Sequence, residues 1–403
     1  MIFKRKLYDK LLVWKQQTAG TKALLIEGAR RIGKSTLVEE FAKNEYRSYL
    51  MIDFNKVSDS VISAFNNYMN DLDTFFLILS SEYGVRLYPK ESIIIFDEIQ
   101  QFPKARQAIK YLVADGRFDY IETGSLISIK ENVNDITIPS EERTLLMYPM
   151  DFEEFAWAMN EEPLMAYIRQ CFDKKVPLEQ GIHAKAMLLF RQYMIVGGMP
   201  KSLSAYLENN RSFEMADMEK RDILTLYRND IKKIKSGYRS SVLSIFDQIP
   251  AFLSRSERRV VMNRIEKGAS FPKYHDTFFW LSDSMIANEC FNCSDPNVGL
   301  SLNEDRTYVK CYMGDTGLLI SHTFDENEIS DGELYREILL GKLSVNEGMF
   351  YENVIAQMLV AAGHKLYFYT RYNQEKHRND MEIDFILSNH SNCLLYTSPS
   401  PRD

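Results

Sequence analysis

The stretch that decides the fold of the N-terminal part is Gly28-Ala29-Arg30-Arg31-Ile32-Gly33-Lys34-Ser35. It matches the pattern Gly-x-x-x-x-Gly-Lys-Ser/Thr, follows a short apolar run at 23–27 (ALLIE) and precedes a run with helical apolar spacing, STLVEEFAKNE. Glycines let backbone N–H groups curl around phosphate oxygens, and the N-terminus of the following helix adds positive potential. The order strand, loop, helix therefore predicts a phosphate-binding loop.

The residue types in this loop predict what each side chain contacts. Lys34 is expected to neutralise charge on the outer phosphates of a nucleotide, and Ser35 is expected to coordinate Mg²⁺. Arg30 and Arg31 are interpreted as solvated basic residues, with contact to a phosphate as the alternative. ATP and Mg²⁺ are the expected ligands.

A second signal is the apolar run at 92–97 (SIIIFD), which leads into Glu98. Asp97 is predicted to hold the water ligands of the magnesium ion, and Glu98 to orient and polarise the attacking water. The alternative is a strand that ends in a solvated acidic turn. The β-type run at 47–53 is taken to mean that a further strand separates the loop's strand from the Asp97 strand, which would leave Glu98 beside the γ-phosphate.

The pattern around these motifs predicts the fold class. Further β-type runs at 119–123 and 144–148 alternate with amphipathic helical stretches such as 103–115. Apolar strands that alternate with helices are typical of an α/β fold with a parallel, doubly wound sheet. After Pro149 an acidic helix, DFEEFAWAM, is expected.

Length and composition limit the classes of protein. A chain of 403 residues is longer than one hydrophobic core usually supports, so two or three domains are expected. The formal charge of -7 argues against a protein that is basic throughout. No secretory signal or membrane-spanning run is found, and the five cysteines make an odd set, so a soluble cytoplasmic protein is expected.

The motifs, taken in order, resemble a prokaryotic family of AAA-type ATPases. GARRIGKST, IIIFDEIQQFP, ETGSL, MYPMDFEEF and YMIVGGMP follow one another as in that family, and the resemblance covers residues 1–392. The resemblance implies that Asp97 and Glu98 are a Walker B pair and that Ser125 is a sensor-like position. It also implies a nucleotide loop made of Gly28, Gly33, Lys34, Ser35 and Thr36. An ordinary strand-to-loop turn is the alternative for Ser125.

One position departs from the family pattern. The usual Gly-Arg pair before the fifth strand reads Glu142-Arg143 here. Arg143 is interpreted as an arginine that reaches the γ-phosphate of a neighbouring subunit in a homo-oligomer. An exposed structural arginine is the alternative.

The resemblance also implies the domain organisation. An AAA-type ATPase domain is expected at 1–162, a helical, winged-helix-like domain at 163–305 and a restriction-endonuclease-like α/β domain at 306–392. The remaining residues, 393–403 (CLLYTSPSPRD), are the translation of a transposase sequencing adapter, so they are interpreted as an artefact that truncates the last domain. A disordered tail rich in Ser and Pro is the alternative.

A basic segment lies in the second domain. Between Arg228 and Lys273 there are eleven basic residues against four acidic ones. Helix-like runs at 241–253, 256–266 and 274–289 would suit the three helices of a winged helix with a surface that contacts DNA phosphates. The alternative is a solvated face, or a surface that faces the ATPase domain.

The last domain contains candidate nuclease residues. Glu352 and Asp384 match the first two positions of a restriction-like magnesium site, with a helix salt bridge and a strand-end acid as the alternative. No lysine or glutamate follows Asp384, so the Glu-x-Lys element is expected to be missing and no nuclease activity is expected. Cys290 and Cys293 are interpreted as free cysteines rather than zinc ligands.

Two functions remain open at this point. The first is an ATP-hydrolysing switch that acts on duplex DNA through its C-terminal half. The second is an ATP-gated switch that binds a protein partner or signals, with an inert nuclease-like scaffold.

Overall fold

The structure is a computed structural model that describes residues 1–125, 140–234, 239–255, 258–260, 271–296, 299–325, 332–341, 347–373, 378–389 and 392–396. The chain divides into two compact units, residues 1–148 and 149–403.

The first unit alternates strands and helices as the sequence predicts. Its elements are α1 (Leu7–Gln17), β1 (Ala23–Gly28), α2 (Lys34–Glu45), β2 (Ser48–Asp53), α3 (Asp59–Asn67), α4 (Leu72–Tyr83), β3 (Ser92–Asp97), a 3₁₀ turn (Ile99–Gln101), α5 (Pro103–Asp115), β4 (Asp119–Gly124) and β5 (Glu142–Met147).

The five strands form one parallel sheet in the order β2-β3-β4-β1-β5. This confirms the predicted fold class and the prediction that a strand separates β1 from β3. The separating strand is β4, while β2 lies on the far side of β3. Because the strands are parallel, the carboxyl ends of β1, β3 and β4 lie at the same edge, which is where open α/β sheets bind their ligands.

Burial on both faces explains why these runs are apolar. Every residue of β1 and β3 is buried. On one face an aromatic cluster joins the sheet to α3 and α4, with Phe54, Phe65 and Phe96 in mutual contact at centroid distances of 5.7–5.9 Å. The core therefore holds the strand ends in fixed positions.

The second unit begins with helices and ends with a second sheet. Its elements are α6 (Phe152–Ala158), α7 (Glu162–Lys174), α8 (Gln180–Val196), α9 (Pro200–Glu208), α10 (Phe213–Lys232), α11 (Arg239–Leu253), α12 (Phe271–Asp283), β6 (Ala287–Cys293), a 3₁₀ turn (Leu300–Asn303), β7 (Glu304–Met313), α13 (Thr316–Thr323), α14 (Glu333–Leu340), α15 (Gly348–Ala361), β8 (Leu366–Asn373), β9 (Arg378–Asn389) and β10 (Asn392–Tyr396).

The strands of this unit have the order β10-β9-β8-β6-β7. Only the β6–β8 pair is parallel among the described pairings, and the others are antiparallel. The start of α6 is fixed by a capping box, in which Asp151 accepts from the backbone of Glu154 and the Glu154 side chain accepts from the backbone of Asp151. The acidic helix after Pro149 is thereby confirmed.

The Gly197-Gly198 turn packs against a second turn around Asp315. Gly197 has φ +80°, and a Cβ there would lie 2.4 Å from Asp315 Oδ1. The backbone N–H of Gly198 donates to Asp315 Oδ2 at 2.6 Å, and Gln357 Nε2 lies 3.3 Å from the same oxygen. Since Asp315 is buried, these donors satisfy a carboxylate that would otherwise be costly to bury.

One predicted helix is wrong in part. The run at 274–289 was predicted as a helix, but α12 ends at Asp283 and residues 287–293 form β6. The burial pattern of β6 does not alternate strictly, so the short mixed sequence ANECFNC has no clear strand period that would distinguish it from a helix end. Of the run at 256–266, only 258–260 is described, and it is not helical.

The start of the adapter-like segment lies in the second sheet. Residues 392–396 pair with β9, and residues 397–403 lie outside the described residues.

Among the helices that the structure describes, none has the length and apolarity needed to cross a membrane.

Candidate nucleotide site

The predicted phosphate loop lies between β1 and α2. A Cβ on Gly28 would lie 2.4 Å from the Met147 carbonyl oxygen and 2.5 Å from Ile32 Cδ1, so only glycine fits there. Gly33 has φ 92° and Arg31 has φ 68°, which turn the chain into the helix. Gly33 supplies no capping side chain to the first turn of α2, whose N–H groups are therefore available for anion binding.

Lys34 lies inside the loop. Its Nζ donates to the carbonyl oxygens of Gly28 at 3.0 Å and Ala29 at 2.8 Å, and the residue is 6 % exposed. Burial lowers the pKa of Lys34 to about 8, while the nearby Glu98 and Asp97 carboxylates act in the opposite direction. A phosphate group bound in the loop would place a negative charge in direct contact with this buried ammonium, which now contacts only carbonyl oxygens among its hydrogen-bond acceptors.

Ser35 and Asp97 come together across the loop. Ser35 Oγ donates to Asp97 Oδ1 at 2.7 Å, although the two residues are 62 positions apart. Thr123, on β4, also donates its hydroxyl to Asp97 Oδ1. A serine hydroxyl beside a carboxylate at the carboxyl edge of the sheet provides the oxygen ligands that Mg²⁺ prefers.

Glu98 follows Asp97 in an unusual backbone conformation. Its φ of 55° lies in the left-handed region, which costs a residue with a side chain about 1 kcal/mol. Its N–H points to Thr123 Oγ1 at 3.4 Å, and its Oε2 accepts from the Gln100 amide. Strain of this kind is concentrated at functional sites, where the surrounding structure enforces it.

Sequence reasoning missed Arg5. This buried residue precedes α1, and its guanidinium donates to the carbonyl oxygens of Ile32 at 3.0 Å and of Tyr148 at 2.6 Å. It thus ties the phosphate loop to the end of β5. No local motif marks Arg5, and only its place in a run of basic residues at the N-terminus could have drawn attention to it.

The other predicted site residues, Thr36, Ser125 and Arg143, lie on or next to three different elements of the unit. Thr36 is exposed in the first turn of α2, and Ser125 is buried just after β4, two residues beyond Thr123. Arg143 is exposed and pairs in register with Leu24, four residues before Gly28. It therefore lies toward the amino end of the sheet, away from the loop of its own chain.

Glu142 has a structural partner. Its carboxylate forms a two-point ion pair with Arg106 on α5, at 2.9 and 2.7 Å, and both side chains are buried. Burial and the neighbouring Glu142 raise the pKa of the fully buried Glu122 well above its usual range. Glu142, which stands where the family pattern has glycine, thus provides a buried anion for Arg106.

The residues of this site fit ATP and Mg²⁺. A buried ammonium, an uncapped helix N-terminus and a glycine that admits no side chain face the same loop. The Ser35 hydroxyl and the Asp97 carboxylate lie beside it. Lys34, Ser35, Asp97 and Glu98 are therefore brought together, whereas Arg143 is not.

A second cluster contains both candidate nuclease residues. Lys310, on β7, lies 3.1 Å from Glu352 and 3.5 Å from Asp384, and Glu382 joins them at 3.2 Å. The sequence pattern expects a lysine after Asp384, whereas Lys310 comes from an earlier strand and was not predicted. Among the described residues, no group of three or more His, Cys, Asp or Glu side chains is arranged to hold a metal ion.

Three described residues of the basic segment, Arg228, Lys233 and Arg258, form ion pairs with carboxylates of the same unit. Arg228 binds Asp247 at 3.0 Å and Asp325 at 2.7 Å, and Arg258 forms an ion pair with Glu352. Lys235, Arg264 and Lys267 lie outside the described residues.

Comparison with known proteins places this site in a class. Residues 20–156 match a family model described as an AAA domain, and residues 187–328 match one described as a domain of unknown function (DUF8612). With the strand order and the loop, the first match identifies the N-terminal unit as a P-loop domain of the AAA type. The winged-helix and restriction-endonuclease-like folds stay predictions. No curated protein sequence matches the chain.

Solved structures show weak similarity. The RuvB Holliday junction branch migration motor of Thermotoga maritima is 13% identical, with 71% of this chain and 89% of that chain covered and a TM-score of 0.29. The Orc1 protein of Aeropyrum pernix, in complex with DNA, is 9% identical, with 81% and 93% covered and a TM-score of 0.29. A STAND signal transduction ATPase of Pyrococcus horikoshii is 12% identical, with 89% and 48% covered and a TM-score of 0.31.

Proposed function

We propose that the N-terminal unit binds ATP with Mg²⁺ and hydrolyses it. The observation that carries this proposal is the contact of 2.7 Å between Ser35 Oγ and Asp97 Oδ1, next to the buried ammonium of Lys34. The match of residues 20–156 to an AAA domain supports it.

The proposed roles follow from the positions of the side chains. Ser35 and Asp97 would hold Mg²⁺, which supplies charge compensation on the phosphate oxygens. Lys34 exchanges its two carbonyl acceptors for phosphate oxygens, and Glu98 orients the attacking water and accepts its proton. Thr123 fixes the carboxylate of Asp97 and, through the Glu98 N–H, the backbone beside the water.

Steady-state hydrolysis of Mg·ATP tests this function. Glu98→Gln should lower the rate by at least about tenfold while ATP still binds, because it removes the base and keeps the shape of the side chain. Glu82→Gln, at an exposed position of α4, is the matched control and should hydrolyse ATP like the wild type. Equal rates in Glu98→Gln and the wild type would contradict the assignment of Glu98.

For the target of the switch, the ion pairs of two basic residues, Arg228 and Arg258, favour a protein partner over DNA. Arg228 and Arg258 are neutralised by Asp247, Asp325 and Glu352, so they are poorly placed to release counterions from a duplex. Hydrolysis measured with and without duplex DNA, at two salt concentrations, separates the two functions. Stimulation that falls with salt would favour the DNA-acting switch.

Arg143 is proposed to act on the nucleotide of a neighbouring subunit. It is exposed on β5, which ends the described sheet order. Mixing Arg143→Ala subunits with Glu98→Gln subunits should restore hydrolysis if each supplies what the other lacks. Mixtures that remain inactive would leave Arg143 with a structural role only.

A further inference from the structure

The second unit encloses a buried ammonium among three carboxylates. Lys310 Nζ lies 3.1 Å from Glu352 Oε1, 3.2 Å from Glu382 Oε1 and 3.5 Å from Asp384 Oδ1. The side chains of Lys310 and Glu352 have no exposed surface at all. The three acids come from two elements, α15 and β9, while the lysine comes from β7.

Two further groups complete the cluster. The Arg258 guanidinium pairs with Glu352 Oε2, and the Tyr312 hydroxyl donates to Glu352 Oε1. The cluster thus sets two cations against three carboxylates. The Glu352 carboxylate, which has no exposed surface, is stable only when cations and donors surround it, so the positive charge of Lys310 stabilises the fold.

The three carboxylates surround the ammonium group. Lys310 Nζ donates a hydrogen bond to Glu352 Oε1, and it forms ion pairs with Glu382 and Asp384. A divalent metal ion would need the same carboxylate oxygens drawn in to about 2.0–2.6 Å around a common point. It would also lie within a few ångströms of the ammonium, where like charges repel strongly at low dielectric.

We propose that the Lys310 ammonium is an internal cation that takes the place of a divalent metal ion among Glu352, Glu382 and Asp384, and so closes this site to Mg²⁺ and Mn²⁺. The cluster then works as an ionic cross-link between β7, α15 and β9. Removal of the ammonium without its carboxylates turns the cluster into a metal site.

Binding of Mn²⁺ to the full chain without nucleotide tests this proposal, with free Mn²⁺ counted by electron paramagnetic resonance. The wild type should show no Mn²⁺ site that Asp384→Asn removes. Lys310→Ala should bind about one additional Mn²⁺ per chain, and the double variant Lys310→Ala with Asp384→Asn should lose it. Lys365→Ala, at an exposed lysine near β8, is the matched control and should gain no site.

Thermal unfolding covers the case in which Lys310→Ala does not fold in metal-free buffer. Mn²⁺ should then restore the fold of this variant, because the metal replaces the missing charge and binds only the folded state. Three results would overturn the proposal: a wild-type Mn²⁺ site that depends on Asp384, a folded Lys310→Ala that binds no additional Mn²⁺, or an unfolded Lys310→Ala that Mn²⁺ does not rescue.

Discussion

The hydroxyl of Thr123 donates to Oδ1 of Asp97 across neighbouring strands. This oxygen also accepts from Ser35, and Thr123 Oγ1 lies 3.4 Å from the N–H of Glu98. A single hydroxyl therefore contacts both acidic residues of the proposed catalytic pair.

Replacement of Thr123 by valine should slow hydrolysis with little effect on ATP binding. Valine keeps the shape of threonine but leaves Asp97 with one donor fewer and the Glu98 N–H without its acceptor. We expect the rate to fall by about tenfold or more, with the ATP affinity within about twofold of the wild type. Thr123→Ser, which keeps the hydroxyl, should recover most of the rate; a Thr123→Val protein with normal turnover would show that the hydroxyl is only structural.

The affinity for ATP should fall as the pH rises through about 8. Burial lowers the pKa of Lys34 to about 8, so its ammonium loses its charge above that pH and attracts phosphate less. At pH 9 the affinity should be about tenfold weaker than at pH 7. Fluorescence titration with an ATP analogue measures this, and Lys34→Arg, which stays charged, should remove the pH dependence; an equal slope in that variant would assign the titration to another group.

Arg5→Ala should destabilise the first unit and weaken ATP binding together. The substitution leaves the buried carbonyl oxygens of Ile32 and Tyr148 without their donor, which costs about 1–3 kcal/mol. The loop should then be held less firmly, so the Kd for ATP should rise. Denaturant unfolding and nucleotide titration measure the two effects. Lys10→Ala, at an exposed position of α1, should change neither of them.

Gly28→Ala should disrupt the loop by overpacking. The added methyl group would lie 2.4 Å from the Met147 oxygen, so the backbone of β1 or β5 must shift, at a cost of about 1–3 kcal/mol. Gly181→Ala is the control, because its methyl group would meet only the flexible Glu179 side chain, at 3.1 Å, in the first turn of α8. A Gly28→Ala protein as stable as Gly181→Ala, with normal ATP affinity, would contradict the packing argument.

The parts of the fold that the sequence predicted well have strong local signals. The strand at 92–97 has its predicted bounds because its apolar run marks both ends. The helix at 103–115 has its predicted bounds because Pro103 marks its start and the glycine after Asp115 marks its end. The sequence assigned Ser35 and Asp97 to the same magnesium ion but did not predict the direct contact between them, which arises because the carboxyl ends of parallel strands share an edge.

Other features depend on long-range packing and left no local signal. The hydroxyl that contacts Asp97 belongs to Thr123, and the sequence of the turn does not reveal which of its side chains faces β3. Lys310 meets its carboxylates through the packing of β7 against α15, and no spacing in the sequence links them. Arg5 reaches Tyr148 across 143 positions.

The contact between Gly198 and Asp315 has a consequence for the order in which the chain matures during synthesis. The first sheet has all its described strands once Met147 has been synthesised. The Gly197-Gly198 turn forms its hydrogen bond to Asp315 only after Asp315 has been synthesised, and Asp315 gains its contact with Gln357 later still. Domains that complete early fold first on the ribosome. A nascent chain would thus carry a finished phosphate loop while its second half is still incomplete.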